Sequence, residues 1–368
     1  MLEYKKGNRR VALTILFTVL LALSVPGAAK PEASREEKIV LGCVWMAPVG
    51  DMGWTYAHDL GRQFVEKEIP GVRSIVQESV SVADAPAVID TMIEEGADII
   101  IANAIQYQDV CIQKGKQYPD KYFVYVAGRE TGRNVATIFG AMYQPTYLTG
   151  LMAGALTRTG KIGFVGAMPL PQVIRRINAM TIGAREVNPA SEVHVIYTNN
   201  WYDPPTERDV AMTLIGLGCD VLAQHQDSPA AVEAANGKGV YCFGFDADMT
   251  QFAPDYHVTA PIWHWGPMYK RIVEDYQRGR PKAFADIWGT MADKMVDLSP
   301  INPKVLLPPG ILKLVERRKM EIIQGDFDPF TGPIRAVNGK VRLPEGKKIS
   351  YEELRKMDWY VEGVNAPK

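Results

Sequence analysis

The chain has 368 residues, of which 47% are hydrophobic and 23% charged, and its formal net charge is −1. This composition is that of an ordinary soluble globular protein, and the length suggests about two domains. A near-neutral chain without a basic stripe argues against nucleic acid as a partner.

The first residues have the layout of a secretory signal peptide. A basic region that contains Arg9 and Arg10 precedes an uncharged apolar run at 11–25, and small residues follow at 26–29. The run is shorter than the roughly 20 residues that span a membrane, so an uncleaved anchor is the weaker alternative. We expect cleavage near Ala29 and a periplasmic or other extracytoplasmic location.

The four cysteines are few for a secreted chain of this size. Cys43, Cys111, Cys219 and Cys242 include no CxxC pair, so no zinc or redox motif is present. Cysteines in apolar runs are by default buried free thiols. A Cys219–Cys242 disulfide is the alternative.

From residue 38 onwards, apolar runs alternate with segments of helical periodicity. Strands are predicted at 38–45, 73–78, 97–102, 122–127 and 135–139, and again at 161–166, 192–198, 219–224 and 240–245. Most of these runs are continuously apolar, as in strands that are buried on both faces of a parallel sheet. Helical stripes lie between them, for example at 85–95 and 145–158, and the alternation predicts βαβ units.

The break near 140–145 predicts an α/β protein of two lobes with parallel sheets, rather than one continuous sheet. We expect the segment 258–265 to return the chain to the first lobe. The predicted ranges are 38–141 with about 259–300 for lobe 1, and 142–258 with about 301–330 for lobe 2. In the tail, 331–368, Asn338-Gly339 indicates a hairpin, and Ser350 with Glu353 indicates a capping box that opens a short helix.

Aromatic and acidic residues gather after the strands of both series. Ligands of open α/β sheets bind outside the carboxyl ends of the strands, so these side chains form the candidate site. They are Asp51, Trp54, Tyr56, Tyr107, Tyr143, Trp201, Gln226, Asp227, Asp246, Asp248 and Trp265. Singly, each is explained by helix capping or core packing. Together they predict an interlobe cleft for a sugar, a nucleobase or a nucleoside.

Motifs for catalysis and for metal or cofactor binding are absent from the sequence. No GxSxG, GxxxxGK[ST] or HExxH motif occurs, and no two histidines have the i, i+4 spacing of helical metal ligands. We therefore expect no metal, no cofactor and no enzyme activity. The alternative is a secreted nucleoside hydrolase that uses Asp246 or Asp248.

Several segments resemble the basic membrane protein (BMP) family of substrate-binding proteins. They are Gly50 to Tyr56, Tyr143 to Gly154, Trp201 to Pro204, Gln224 to Ser228, Phe243 to Asp246, and Pro329 to Ile334. The resemblance implies a type I periplasmic binding protein with two Rossmann-like lobes and a three-strand hinge. It also implies service to an ABC importer of purine nucleosides or related compounds. The third and fourth segments are most similar to the branch that binds free adenine.

The same resemblance implies roles for individual residues. Trp54 and Trp201 match positions whose rings sandwich the purine, and Asp51 lies in the first ligand loop. Asp227 and Asp248 are candidates for contacts to base N–H groups. Asp246 matches the position that holds ribose hydroxyls, which leaves free base and nucleoside both open.

The sequence departs from the family at two points. Other members carry a smaller polar residue in place of Tyr56, and the lipid-attachment cysteine is missing here. The missing cysteine implies a freely diffusing periplasmic protein, which we expect to be a monomer that delivers its ligand to an ABC permease. A ligand-sensing receptor domain remains an alternative to transport.

Overall fold

The computed structural model describes residues 38–367, and the predicted signal peptide lies outside them. Its strands are β1 (Val40–Val44), β2 (Arg73–Gln77), β3 (Ile99–Ala102), β4 (Tyr122–Val126), β5 (Val135–Gly140), β6 (Lys161–Gly166), β7 (Glu192–Tyr197), β8 (Val221–His225), β9 (Tyr241–Phe243), β10 (His257–Thr259), β11 (Pro261–Trp263), β12 (Asp286–Gly289), β13 (Val296–Leu298), β14 (Ile334–Arg335), β15 (Val341–Leu343) and β16 (Val364–Asn365). Its helices are α1 (Trp54–Glu68), α2 (Ala85–Glu94), α3 (Gln108–Gln117), α4 (Tyr143–Leu156), α5 (Pro171–Val187), α6 (Pro204–Gly216), α7 (Ala230–Gly237), α8 (Trp265–Gln277), α9 (Ile311–Gln324) and α10 (Tyr351–Arg355).

The first sheet is parallel throughout and has the strand order β12-β5-β4-β3-β1-β2. Every residue of β1, β3 and β4 is buried, as their continuous apolar sequences predict. Helix α8 follows the return segment and packs against α1, while β12 completes the sheet beside β5. We call this half lobe 1, residues 38–140 and 261–298.

The second sheet is also parallel, with the order β10-β9-β8-β6-β7-β16. The predicted strands of both series are thereby confirmed, and no strand end differs from its predicted position by more than two residues. The predicted hairpin β14–β15 and the Ser350–Glu353 capping box are also present. The tail adds β16, which no sequence signal indicates because it pairs over only two residues. We call this half lobe 2, residues 143–259 and 302–367.

The chain crosses between the lobes at three adjacent places. The first crossing follows β5, the second links β10 to β11, and the third follows β13. β11 and β13 pair in antiparallel fashion, and the Ser299 N–H donates to the Ala260 carbonyl at 2.8 Å. These short hydrogen-bonded crossings join the two lobes.

Helix α4 differs from its predicted amphipathic stripe. It is buried on almost every face because it lies against both α5 and α9. Its approach to α5 depends on glycine: a Cβ at Gly150 would stand 2.3 Å from the Met180 carbonyl oxygen. This close packing fixes α5, which carries part of the site described below.

All four cysteines are buried free thiols, so the Cys219–Cys242 disulfide is not formed. Within residues 38–367, no helix is long and apolar enough to cross a membrane.

Candidate ligand-binding site

A cavity of about 600 Å³ lies between the two lobes, at the carboxyl ends of both sheets. Its volume is in the range of small-molecule sites. It is lined by Met46, Ala47, Trp54, Asn103, Ala104, Ile105, Gln106, Ala127, Arg129, Phe139, Met142, Met168, Leu170, Pro171, Gln172, Arg175, Arg176, Asn200, Trp201, Tyr202, His225, Asp227, Phe245, Trp263, Trp288 and Arg355.

Trp54 forms a supported aromatic wall on the lobe 1 side. Its indole Nε1 donates to the Asn103 carbonyl at 2.7 Å. Three rings meet it nearly edge-on, with centroids 4.5 Å away for His58, 5.7 Å for Trp263 and 5.6 Å for Trp265. Edge-to-face contacts of this kind are favourable and hold the ring in one orientation. The ring that lines the cavity is therefore positioned before any ligand arrives.

Trp265 supports this wall from behind. It is 1% exposed and stacks on Trp263 at 4.7 Å and on His58 at 4.1 Å. Burial lowers the pKa of His58 well below its usual value, so this ring is neutral. Trp265 does not line the cavity, and its place in the structure is that of a support for Trp54 and Trp263.

Asp51 fixes the start of the helix that carries Trp54. Its carboxylate accepts the backbone N–H groups of Gly53, Thr55 and Tyr56 at 2.8 to 3.0 Å. Burial raises the pKa of Asp51, and these N–H groups oppose the rise. Both oxygens are thus engaged by the first turn of α1, where a carboxylate also complements the helix dipole. Tyr56 is half-buried on that turn, outside the cavity lining.

Gly53 is one of the points at which the lobes touch. A Cβ at this position would lie 2.4 Å from the carbonyl oxygen of Asp227, which belongs to lobe 2. Only glycine permits so close an approach between these two main chains. The structure is therefore a closed form, with the loop before α1 seated on the loop after β8.

Lobe 2 contributes rings from three successive strand ends. Trp201 follows β7, His225 ends β8 and Phe245 follows β9. The His225 ring lies 5.6 Å from that of Trp201 and 4.4 Å from that of Phe245. Burial, together with the charges of Arg176 and Arg175, lowers the pKa of His225 well below its usual value. A neutral imidazole therefore lines the cavity.

Asp227 is the acid that lines the cavity. Its backbone N–H donates to the Trp201 carbonyl at 2.9 Å, which joins the two ligand loops of lobe 2. Its carboxyl accepts no hydrogen bond from residues 38–367. Burial raises its pKa well above the usual value, and the charges of Asp246, Asp51 and Glu207 raise it further. A ligand N–H or O–H that donates to this carboxyl favours its ionised form, and the ionised carboxyl is a strong acceptor.

Asp246 stands behind the cavity wall, half satisfied. One oxygen accepts the Trp263 indole N–H at 2.9 Å, and the other has no partner among the described residues. Burial raises the pKa of this carboxyl well above the usual value, while the Arg176 guanidinium opposes the shift.

Gln226 is also buried. Its amide donates to Thr198 at 2.8 Å, but its carbonyl oxygen has no partner in the part of the chain that the structure describes.

Besides Tyr56, three predicted site residues lie away from the cavity. The Tyr107 hydroxyl donates to the Val80 carbonyl at 2.6 Å, inside the core that β3 and β4 share with α2 and α3. The Tyr143 hydroxyl donates to Asp328 at 3.0 Å. Asp248 is exposed and accepts from the backbone and hydroxyl of Thr250. The cavity thus brings together Trp54, Trp201 and Asp227, with Asp51, Gln226, Asp246 and Trp265 placed behind them.

The sequence prediction missed several lining residues. The missed side chains with aromatic rings, imidazole or charges are Arg129, Phe139, Arg175, Arg176, Tyr202, His225, Phe245, Trp263, Trp288 and Arg355, and Asn103 adds an amide. One signal was available: Arg175 and Arg176 are adjacent in the segment that follows the predicted strand 161–166, close to where ligands of open α/β sheets bind. The structure shows that both are buried. Arg355 gave no signal, because its position depends on the fold of the tail.

Within residues 38–367, no group of three or more His, Cys, Asp or Glu side chains is arranged to hold a metal ion. The cavity offers rings, unpartnered acceptors and arginine donors. This chemistry is suited to recognising an organic solute.

A family model described as "ABC transporter substrate-binding protein PnrA-like" matches residues 38–321. Such proteins bind a small ligand and work with a transporter permease. They are not enzymes, so the hydrolase alternative is wrong. Substrate-binding proteins of ABC importers act outside the cytoplasm.

Relatives at equal identity carry two different ligand names. The purine-binding protein of Brucella abortus (strain 2308) is 35% identical over 90% of this chain and 95% of its own length. A protein of Haloferax volcanii, also 35% identical, covers 90% of this chain and 81% of its own length, and is named as a candidate glucose-binding protein of an ABC transporter.

The fold also matches a solved solute-binding protein of an ABC transporter system from Conexibacter woesei, with a TM-score of 0.68 and 19% identity over 79% of this chain and 98% of the other. The predicted fold class, a two-lobed type I binding protein, is confirmed. The chain belongs to the Bmp family of PnrA-like ABC transporter substrate-binding proteins.

Proposed function

We propose that this protein captures a purine, either adenine or a purine nucleoside, in the interlobe cavity and delivers it to its ABC permease. The observation that carries the proposal is the joint lining of one cavity by Trp54 from lobe 1, and by Trp201 and the unpartnered Asp227 from lobe 2. A tryptophan stacked on a base contributes about 1–3 kcal/mol. The purine-binding name of the Brucella relative supports the same ligand class.

Closure couples capture to delivery in this proposal. The open lobes expose both tryptophans, and the ligand bridges them as the crossings bend. Gly53 then reaches the main chain of Asp227, as it does in the closed structure. The permease recognises the closed form. We further propose that the protein is exported by its N-terminal segment and acts in the periplasm as a monomer.

A sugar is the competing ligand, because the Haloferax relative is named for glucose. A tryptophan and a carboxylate also suit a sugar, since the ring packs on one and the hydroxyls donate to the other. The purine is favoured because tryptophans from opposite lobes line the cavity, and a flat aromatic ligand gains from both.

Isothermal titration tests the proposal. The protein is first unfolded, washed and refolded to remove any co-purified ligand. It is then titrated with adenine, adenosine, guanosine, inosine and glucose. Saturable binding of at least one purine, with none or much weaker binding of glucose, is expected. No binding of any purine at millimolar concentration, or preference for glucose, would overturn the assignment.

A further inference from the structure

The charge of the cavity lining does not match a neutral purine. Four arginines line the cavity, namely Arg129, Arg175, Arg176 and Arg355, against one acid, Asp227. A neutral base needs few charged donors, and each buried charge costs several kcal/mol of desolvation unless it is paired. Arg175 and Arg176 are buried and therefore need a partner, either in the protein or in the ligand, whereas Arg129 is exposed.

Two of the four have partners of opposite charge nearby. Arg355 forms an ion pair with Asp286 at 2.5 Å. The negative charge of Asp246 favours the charged form of Arg176. The Arg176 guanidinium lies 3.5 Å from the centroid of the Phe245 ring. Even so, its Nη1 is buried and donates to nothing in the described chain.

Arg175 has no acidic partner among residues 38–367. It is 4% exposed, and its guanidinium makes one hydrogen bond there, from Nη1 to the Leu354 carbonyl at 3.2 Å. Guanidinium carries five N–H donors, so most of its capacity is unused. Burial lowers the pKa of Arg175 to about 10, so it remains a cation at neutral pH.

The surroundings of Arg175 keep this cation available to the cavity. Its guanidinium contacts two neighbouring lobe 1 rings on one side, 5.5 Å from the centroid of Phe139 and 5.2 Å from that of Trp288. Cation–π contacts hold the group in place and leave its N–H edge free. Besides burial, the neighbouring charge of Arg355 lowers its pKa.

We propose that Arg175, supported by Arg176, forms an anion subsite in this cavity, so that the preferred ligand is a purine bearing a negatively charged oxygen. The inference rests on the proposed function, since it assigns a charge class to the same purine. A guanidinium group binds two oxygens of a planar anion or of a phosphate through two parallel N–H···O hydrogen bonds. The charged oxygen belongs either to the ring, as in urate, or to a phosphate, as in adenosine monophosphate. The start of α5, four residues before Arg175, adds its positive dipole end.

Titration calorimetry with the refolded full-length protein tests the subsite. The probes are adenine and adenosine, which are neutral, and urate and adenosine monophosphate, which are anionic. At least one anionic probe is expected to bind ten-fold or more tightly than its neutral counterpart. Equal or tighter binding of the neutral probes would overturn the subsite and leave the proposed function standing, whereas no purine binding would contradict both.

Variants of Arg175 distinguish an anion subsite from a purely structural contact between the lobes. Arg175→Met keeps the length and apolar contacts of the side chain, and is expected to weaken the anionic probe at least ten-fold and the neutral probe two-fold or less. Arg175→Lys is expected to recover part of the anionic affinity, because it restores the charge without the planar fork. If Arg175→Met lowered the affinity for both probes equally, Arg175 would be a structural contact between the lobes and not an anion subsite. The wild-type ratio of anionic to neutral affinity decides the matter if neither variant folds.

Discussion

The two lobes present opposite kinds of wall to the cavity. On the lobe 1 side, Trp54 is held by one hydrogen bond and three rings, and its polar atom is satisfied. On the lobe 2 side, His225 Nδ1, Arg176 Nη1, and the Asp227 carboxyl lack partners in the described chain. Unpartnered buried groups cost about 1–3 kcal/mol each, and a fitting ligand relieves that cost. Lobe 1 therefore supplies a rigid platform, and lobe 2 supplies the discrimination.

Trp54→Ala should break the platform and have the largest effect. Because Trp54 is half-buried, we expect a loss of about 2–3 kcal/mol in the free energy of unfolding, less than for a fully buried tryptophan. Purine affinity should fall as well, by about one stacking increment of 1–3 kcal/mol. Urea unfolding and calorimetry measure the two losses. Trp54→Phe, which keeps a ring, should retain most of both, and an unchanged stability would contradict the supported-wall description.

Asp227→Asn should break the discriminating wall. Replacing a charged acceptor by an amide removes about 1.5–3 kcal/mol of hydrogen bonding, so purine affinity should fall about 10- to 150-fold. Calorimetry with the best-binding purine measures it. Affinity within two-fold of the wild type would place Asp227 outside the contact set.

Trp201→Ala should weaken binding without the stability loss of Trp54→Ala. Trp201 is half-buried and its ring contacts a single described ring, that of His225. We expect a loss of about 1–3 kcal/mol in binding and no more than about 1 kcal/mol in unfolding. Trp359→Ala is the matched control, because Trp359 is a half-buried tryptophan outside the cavity lining. If both variants weaken binding equally, stacking by Trp201 is excluded.

In the ligand-free protein, the buried carboxyl of Asp227 should make the free energy of unfolding depend on pH. Burial raises its folded-state pKa well above the unfolded value. The stability it contributes is therefore complete below the ordinary carboxyl range and is lost as pH rises through the raised pKa. Asp227→Asn should raise the free energy of unfolding by about 1 kcal/mol or more at pH 8 and by much less at pH 3, below the unfolded pKa of about 3.9. Urea unfolding at the two pH values gives both numbers, and an equal gain at each would show that the carboxyl is not the cause.

Asp248→Ala should have the smallest effect. The side chain is exposed and accepts only from Thr250 in the described chain. We expect purine affinity within two-fold of the wild type and a stability change within about 0.5 kcal/mol. A ten-fold loss in the same calorimetric assay would return Asp248 to the site, as the resemblance implied.

The strands could be predicted from the sequence, whereas the site residues were predicted only in part. Both outcomes depend on whether the property is local in the sequence. Continuous apolar runs report burial on two faces, which is a local property, so β1 to β9 could be located from the sequence. A residue after a strand, however, can cap, pack or bind. Asp51 and Asp227 have the same residue type and similar positions, yet the first accepts three N–H groups of α1 while the second accepts none.

The sequence by itself determined the alternation of strands and helices, the break between two lobes, and the pairing of aromatic and acidic residues at strand ends. These depend on periodicity and composition over short segments. Only the tertiary structure decided which side chains share the cavity, because Arg175 of lobe 2 contacts Phe139 and Trp288 of lobe 1, which are distant from it along the chain. It also decided that the tail reaches the cavity, where Arg355 joins Asp286 across the lobes. Such contacts depend on the closure of the whole chain, and no local pattern records them.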